Sequence, residues 1–225
     1  MKTLLILFSL FIILNCNAQE NKKEYNELLT EIIAKRDAYS KAYNNTDANQ
    51  KDTIIIVARN YLLEFISTEI FPHWYGTEWD FNGMSRIPKK GKIACGYFVT
   101  NVLTDVGFKI PRIKWAQSAS EVFIKKLSKN NIKRFSGVSI SVIENYLKKS
   151  GNGLYLIGLD AHVGFITIKD KKIRFIHSSY YKPEIGVLSE KIDTKNPLND
   201  SNYRIIGKLF SDEMILKWIN KSNYN

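Results

Sequence analysis

The sequence predicts an α+β protein in which helices come first and antiparallel strands follow. Apolar residues recur at helical spacing through the first half of the 225-residue chain, whereas apolar and polar residues alternate with a period of two from Gly153 onward. Residues 162–179 also read as two strands that turn back at Asp170 and Lys171. Helices followed by hairpin-connected strands are typical of an α+β fold with helices packed on an antiparallel sheet.

The chain begins with a segment that predicts export. Residues 1–18 contain an early lysine, Lys2, then an unbroken apolar run and then small and polar residues, which is the organisation of a secretory signal peptide. We place the start of the mature protein near Gln19 and expect it to be periplasmic or extracellular. The alternative is a lipid anchor on Cys16 that tethers the protein to a membrane surface.

The composition predicts a globular and basic protein. Hydrophobic residues make up 44% of the chain, charged residues 24%, and the formal net charge is +11, of which only Lys2 leaves with the leader. A basic exported protein meets anionic partners, so we expect contact with the anionic cell envelope. The lysines are scattered and no nucleic-acid motif is present, so we expect no nucleic-acid partner. We also expect a monomer.

Two helices are predicted ahead of the main domain. Residues 19–43 and 52–71 both carry apolar residues at helical spacing, with a polar break between them, and Pro72 ends the second helix. We therefore expect an N-terminal helical extension over 19–71, followed by a domain over 72–225.

The stretch 72–92 is aromatic, contains glycine and has no periodicity, which predicts a loop. Loops of this kind are often functional when a rigid scaffold holds them. Trp74 and Trp79 are therefore candidate substrate-binding residues in a wall on which sugar rings stack. The alternative is that the aromatic residues of this stretch form a hydrophobic lid on the core.

The remaining elements follow from the same patterns. A helix is predicted from Cys95 to about Val106, with Gly107 as its C-terminal cap. The later elements are predicted as helices 118–129 and 141–149, strand 153–159, the hairpin 162–179, strands 185–189 and 203–210, and a last helix 211–221.

The turn of the hairpin determines which of its residues face each other. If Lys169 and Lys172 flank a two-residue turn, then Gly164 pairs with His177, and His162 becomes a diagonal neighbour of His177 on the same face. A slip of one residue would separate the two histidines. The sequence therefore predicts that two of the three histidines of the chain lie within reach of each other.

Cys95 is the only cysteine that remains once residues 1–18 are removed. A lone thiol in an exported protein is either a buried packing residue or a reactive group. A nucleophilic thiol needs an imidazole beside it and a third group that orients the imidazole, and a helix start lowers its pKa. Cys95, His162 and His177 provide these parts. A zinc site of both histidines with Cys95 or Asp160 is an alternative, although no closely spaced ligand pair is present.

Three segments resemble the NlpC-type cell-wall peptidases, a papain-like cysteine peptidase family of bacteria. The stretch "ACGYFVTNVLTDVGF" resembles the helix that carries the nucleophile. The stretch "DAHVGFITI" resembles the strand that begins with the catalytic histidine, and "KIRFIHSS" resembles the next strand, which ends in the third polar residue. The resemblance covers residues 72–179 and implies a papain-like fold with Cys95 as nucleophile, His162 as general base and His177 as orienting group.

The resemblance also implies a mechanism and a substrate class. The thiolate of Cys95 would attack an amide carbonyl to form a thioester, which water then hydrolyses, without metal or cofactor. Tyr75 in the aromatic loop, or alternatively Tyr97, would stabilise the oxyanion together with the backbone N–H of Cys95. The implied substrate is a peptidoglycan stem peptide or another peptide.

One departure from the family pattern concerns the neighbours of the nucleophile. The usual motif is Asp-Cys-Ser-Gly, whereas residues 94–97 are Ala-Cys-Gly-Tyr. In the family the Asp and Ser help to hold the free amine end of a stem peptide, so their absence affects the expected substrate more than the chemistry. Asp80, or Glu78, is a candidate substitute in substrate binding. Two alternatives stay open: a catalytically inactive envelope-binding module of the same fold, and an amidase or acyltransferase with another substrate.

Overall fold

The computed structural model describes residues 23–224. The predicted signal peptide, its cleavage site and Cys16 lie outside the described residues. Within the described part of the chain, no helix is both long and apolar enough to cross a lipid bilayer. The predicted α+β class is confirmed, because helices pack on one antiparallel sheet.

Most helices precede the strands, as predicted. In chain order the α-helices are α1 Tyr25–Asn45, α2 Lys51–Phe65, α3 Phe71–Trp74, α4 Cys95–Asp105, α5 Arg112–Ala116, α6 Ser120–Ser128, α7 Ile140–Ser150, α8 Pro197–Asp200 and α9 Asp212–Ile219. A π-helical segment, Ile66–Ile70, joins α2 to α3. The prediction that Pro72 ends the second helix is wrong. Pro72 lies in the first turn of α3, where a missing N–H is tolerated.

The strands form a single six-stranded sheet. They are β1 Ile132–Ser136, β2 Gly153–Leu159, β3 Val163–Lys169, β4 Lys172–Ser178, β5 Val187–Glu190 and β6 Tyr203–Lys208. Their order across the sheet is β1-β6-β2-β3-β4-β5, and every neighbouring pair is antiparallel. The strand β1 is an edge strand that pairs with β6 and was not predicted from the sequence.

The predicted register of the β3–β4 hairpin is confirmed. Lys169 pairs with Lys172, so the turn consists of two residues. Those residues, Asp170 and Lys171, have φ angles of 50° and 64°, as the hairpin turn with two left-handed residues requires. In the same register Gly164 faces His177, which aligns the two histidines as expected.

Alternate residues of the strands face two hydrophobic layers. On one face, Leu156 and Phe165 are fully buried in the core that includes residues of α4 and α6. On the other face, Ile157 and Ile166 are fully buried with Leu147 of α7. The sheet is therefore covered by helices on both faces, as its alternating apolar residues require.

The N-terminal helices share the larger core with α4. Leu28 and Ile32 of α1 and Leu62 of α2 are fully buried in it. The ring of Tyr39 in α1 lies 6.2 Å from the ring of Trp218 in α9. The first and last described helices thus pack against each other.

A hydrogen-bond network fixes the end of α4 that lies away from Cys95. The hydroxyl of Tyr25 donates to Asp105 Oδ2 at 2.7 Å, and Trp74 Nε1 donates to that hydroxyl at 2.8 Å. Arg86 Nη2 donates to Asp105 Oδ1 at 2.6 Å. Because this network ties α1, α3 and the loop after α3 to α4, it helps to set the position of the helix that carries Cys95.

Candidate active site

Cys95 is the first residue of α4, which confirms the predicted helix start, and its side chain is half-buried. It lines two adjoining cavities of about 560 and 470 Å³. Both cavities are also lined by His162, so the thiol and the imidazole belong to one groove. The first turn of α4 leaves backbone N–H groups without partners inside the helix, and these lie at the groove.

Gly96 explains why the thiol lies at the wall of the groove. A β-carbon added to Gly96 would lie 2.3 Å from the carbonyl oxygen of Ala116, the last residue of α5. Only glycine therefore allows α5 to approach the start of α4 this closely. The serine that the family motif has at this position does not fit this packing.

The two histidines are in direct contact, which confirms the predicted pair. His162 Nε2 lies 2.8 Å from His177 Nδ1. The chain of contacts then continues beyond the predicted residues, because His177 Nε2 lies 2.9 Å from Glu190 Oε1. Glu190 Oε2 in turn accepts a hydrogen bond from Lys182 Nζ at 2.6 Å. His162, His177 and Glu190 are all buried.

Nδ1 is the ring nitrogen of His162 that does not contact His177. Nδ1 of His162 is buried and has no hydrogen-bond partner among the described residues. The N–H of Val163, the next residue, interacts with the thiol of Cys95 and lowers its pKa. His162 and Cys95 thus line the same groove, and the residue after His162 contacts the thiol.

The charge states of Cys95 and His162 differ from the sequence-based expectation of a thiol with a lowered pKa. Burial lowers the pKa of His162 well below its usual range, and His177 lowers it further. Burial raises the pKa of Cys95, although nearby N–H groups at the start of α4 and at Val163 lower it. The expected lowering of the thiol pKa by the helix start is thus outweighed by desolvation. Both shifts favour the uncharged thiol of Cys95 and the uncharged imidazole of His162 at neutral pH.

The hydrogen-bonded contact between the histidines also bears on the zinc alternative. A separation of 2.8 Å between His162 Nε2 and His177 Nδ1 is that of a direct hydrogen bond and leaves no room for an ion between the rings. Asp160, a proposed further ligand, instead accepts hydrogen bonds from Ser201 Oγ and from the N–H of Tyr203. The geometry therefore favours a proton-transfer chain.

The structure separates the two tryptophans that the sequence grouped as substrate-binding. Trp79 lines the smaller cavity, and its ring lies 6.0 Å from that of Tyr180. Trp74 is fully buried in the core, so its assignment to substrate binding is wrong. Asp80 lines neither cavity, and its carboxylate accepts the N–H of Asn82 within a turn of the loop.

The tyrosines are distributed differently from the expectation. Tyr75 lines neither cavity, and burial raises the pKa of its hydroxyl, although Ser189 of β5 and Arg174 of β4 lower it. Tyr97, the alternative, lines the smaller cavity, where its hydroxyl accepts a hydrogen bond from Gln117 Nε2 at 3.0 Å. The role assigned to Tyr75 beside the nucleophile is therefore not what the structure provides.

Three residues of the site were missed by the sequence analysis. Tyr180 lines the smaller cavity, and its ring lies edge-on to His162 with 5.2 Å between centroids. Glu190 and Lys182 extend the histidine pair. A register for β4 and β5 would have indicated Glu190, because it pairs with Phe175, which is on the same face as His177.

The groove has two chemically different halves. The part of the larger cavity that is not shared is lined by Glu121, Asp160 and Tyr203 among others, and we call it the carboxylate cavity. The part of the smaller cavity that is not shared is lined by side chains including Trp79 and Phe81, and we call it the aromatic cavity. Cys95 lies where the two meet, so that a ligand bound across the groove passes over the thiol.

No family model, no curated protein and no solved structure matches the chain. Proposals about function therefore rest on the geometry of the groove and on the motif resemblance. The described arrangement contains a thiol, a buried imidazole with one unpartnered nitrogen, and a second imidazole that holds the first. Such a set can move a proton during attack on an acyl group.

Proposed function

We propose that this protein is a cysteine hydrolase that cleaves an amide bond through a thioester intermediate. The observation that supports it best is the contact between His162 Nε2 and His177 Nδ1, which leaves His162 Nδ1 as the unpartnered nitrogen in the groove that Cys95 lines. In the proposed triad Cys95 is the nucleophile, His162 the general base and His177 the orienting group. We also propose that the fold is papain-like and of the NlpC type.

The proposed first step couples proton transfer to attack. Because the thiol and the imidazole are both neutral, His162 Nδ1 takes the thiol proton while sulfur forms a bond to the amide carbonyl carbon. The resulting imidazolium is held by His177 through the Nε2 contact. When the carbon–nitrogen bond breaks, the proton on Nδ1 moves to the leaving amine, and the acyl group remains on Cys95.

The second step returns the enzyme to its starting state. A water molecule attacks the thioester carbon while His162 Nδ1 accepts its proton. The carbon–sulfur bond then breaks, and the proton returns from Nδ1 to sulfur. The products are a carboxylic acid and an amine, and no oxidant or reductant is needed.

The oxyanion requires hydrogen-bond donors at the start of α4. The backbone N–H of Cys95 belongs to the first helical turn, where N–H groups lack partners in the helix. We assign the second donor to Tyr180 and not to Tyr75. Tyr180 lines the aromatic cavity together with Cys95, and its ring lies edge-on to that of His162.

The groove supports a substrate with groups on both sides of the scissile amide. Because the carboxylate cavity and the aromatic cavity lie on either side of Cys95, the acyl and amine parts of a peptide each have a place. A peptidoglycan stem peptide, or another peptide, is the substrate we propose. The aromatic cavity is suited to sugar rings or apolar side chains. Export to an anionic cell envelope, and action there as a monomer, complete this proposal.

Digestion of purified cell wall tests the proposal. We expect mass spectrometry to detect new amine and carboxyl ends in peptides released by the wild-type protein, and none from Cys95→Ala. Cys95→Ser is the matched variant, because it places a hydroxyl at the position of the thiol. Release of the same peptides at the wild-type rate by Cys95→Ala contradicts the proposal.

The competing function is a catalytically inactive envelope-binding module. The raised pKa of the Cys95 thiol is the observation that favours it. Iodoacetamide labelling separates the two functions without a known substrate. Labelling of Cys95 at neutral pH that depends on His162 supports the hydrolase, whereas a thiol that stays unlabelled in wild-type protein supports the binding module.

A further inference from the structure

An ion pair between buried Glu190 and the exposed side chain of Lys182 lies behind the two histidines and takes no part in the steps given above. Glu190 ends β5, and its side chain is 8% exposed. One carboxylate oxygen contacts His177 Nε2, and the other contacts Lys182 Nζ. Burying a carboxylate is costly unless it is paired and hydrogen-bonded, so this position needs a physical reason.

We propose that Glu190, held by Lys182, is a positioning residue that fixes which nitrogens of both histidines carry protons and so leaves His162 Nδ1 as a proton acceptor. The inference rests on the proposed role of Cys95 as the group whose proton is accepted. Glu190 acts through His177 and does not touch the reacting atoms.

The assignment of protons follows from the contacts one step at a time. An ionised carboxylate only accepts hydrogen bonds, so His177 Nε2 must carry a proton toward Glu190. A neutral imidazole has one N–H, so His177 Nδ1 is an acceptor. His162 Nε2 must then donate to His177 Nδ1. The remaining nitrogen, His162 Nδ1, has a lone pair and no partner among the described residues.

The charges around Glu190 keep it ionised. Burial by itself raises the pKa of Glu190, but the hydrogen bonds and charges of His177 and Lys182 outweigh burial and hold the pKa below its usual range. The guanidinium of Arg174 on the neighbouring strand is engaged with Ser189 and not with Glu190. Lys182 is therefore the cation that compensates the buried charge.

Loss of the charge on Glu190 permits the opposite pattern of protons. A neutral group at this position can donate to His177 Nε2, so that His177 Nδ1 carries the proton. His177 then donates to His162 Nε2, and His162 carries its proton on Nδ1. In that form Nδ1 cannot take the proton of Cys95, although every heavy atom stays in place.

Nitrogen-15 NMR of histidine-labelled protein reads these protonation patterns directly and needs no substrate. The chain has three histidines, so each ring nitrogen can be assigned, and His73 on α3 serves as an internal reference. We expect wild-type His162 to carry its proton on Nε2 at neutral pH. We expect Glu190→Gln to move part of the proton to Nδ1. Glu144→Gln, which removes an exposed ion pair on α7, is the matched control and leaves the pattern unchanged.

Iodoacetamide labelling of Cys95 provides the second measurement. We expect Glu190→Gln to slow labelling at neutral pH by about 10- to 100-fold, as loss of a group that orients a functional histidine does elsewhere. We expect Glu190→Asp to recover part of the rate. Lys182→Met removes the cation beside Glu190 and should raise the pKa of Glu190. As the pH falls, labelling of Cys95 in this variant should therefore begin to slow at a higher pH than in wild type.

Two results overturn the proposal. One is wild-type His162 with its proton on Nδ1. The other is Glu190→Gln protein that is less stable than wild type but keeps the wild-type proton pattern and labelling rate, which assigns Glu190 a structural role only. If instead the proton pattern is as proposed and cell wall is not cleaved, the positioning role stands and the hydrolase proposal fails.

Discussion

The start of α4 and the end of α5 meet through Gly96 and Ala116, and a β-carbon on Gly96 would lie only 2.3 Å from the Ala116 carbonyl oxygen. The obstacle is a backbone atom, so no rotamer change relieves it. The glycine at position 96 is therefore required by the packing of α5 beside Cys95.

Replacement of Gly96 should therefore lower the stability of the protein and displace Cys95. We expect Gly96→Ser to lower the free energy of unfolding by about 1–3 kcal/mol, because overpacking forces α4 and α5 apart. Ala94→Ser, on the other side of Cys95, is the control and should have a smaller effect. Urea unfolding measures both. Equal stability of Gly96→Ser and wild type would show that α5 can move without cost.

The rate at which iodoacetamide labels Cys95 should be constant over a range of pH, and this plateau should depend on His162. Neutral His162 can take the thiol proton, so labelling is expected from the lowered pKa of His162 upward, with a second rise near the raised pKa of Cys95. Protonation of His162 removes the reaction only at a pH well below 6.5, the usual pKa of an imidazole, because burial lowers the pKa of His162. Iodoacetamide labelling across a pH series measures the profile. His162→Ala should keep only the upper rise, and an unchanged profile would contradict the role of His162.

Replacement of Tyr180 and replacement of Tyr75 should have different effects on kcat. We expect Tyr180→Phe to lower kcat on cell-wall peptides by about 100-fold with little change in KM, because an oxyanion donor acts in the transition state. Tyr75→Phe is the matched control, since Tyr75 lines neither cavity. If kcat falls more in Tyr75→Phe than in Tyr180→Phe, the oxyanion donor is Tyr75 and not Tyr180.

Acidification should destabilise the folded protein through His162 and His177. Burial lowers the pKa of both, so below about pH 6.5 the unfolded chain binds more protons than the folded chain. The stabilisation is present above this pH and is lost as the pH falls, by at most about 1.4 kcal/mol per histidine for each pH unit. Urea unfolding at several pH values measures the slope. His162→Gln should make it shallower, and an identical slope would assign the acid sensitivity to other groups.

Replacement of Trp74 should lower stability, whereas replacement of Trp79 should weaken substrate binding. Trp74 is fully buried and hydrogen-bonded to Tyr25, so Trp74→Ala should cost about 3–5 kcal/mol of stability. Trp79 lines the aromatic cavity, so Trp79→Ala should raise KM while the unfolding curve changes little. Thermal unfolding and steady-state kinetics measured on both variants distinguish the roles. A destabilised Trp79→Ala with unchanged KM would make Trp79 a core residue as well.

The contact between the histidines was predictable because a two-residue turn fixes the register of its hairpin. Once Lys169 and Lys172 flank the turn, the places of His162 and His177 follow from alternation alone. Glu190 was not predictable in this way. It follows a longer connection whose length does not set the register between β4 and β5.

The aromatic residues show a different limit of sequence reasoning. Trp74 and Trp79 belong to the same loop-like stretch, and nothing in composition distinguishes a core tryptophan from one that lines a cavity. The distinction arises because α3 turns Trp74 toward α1 and α4. The edge strand β1 was missed for a related reason: its exposure does not alternate with a period of two.

The packing of α1 against α9 has a consequence for how the protein is made. Tyr39 contacts Trp218 across nearly the whole described chain, and Trp218 Nε1 donates to the carbonyl of Val106 just after α4. Contacts between residues so distant in sequence form late and slow folding. The helix that carries Cys95 therefore lacks part of its support until α9, the last helix of the described chain, has packed against α1 and the end of α4.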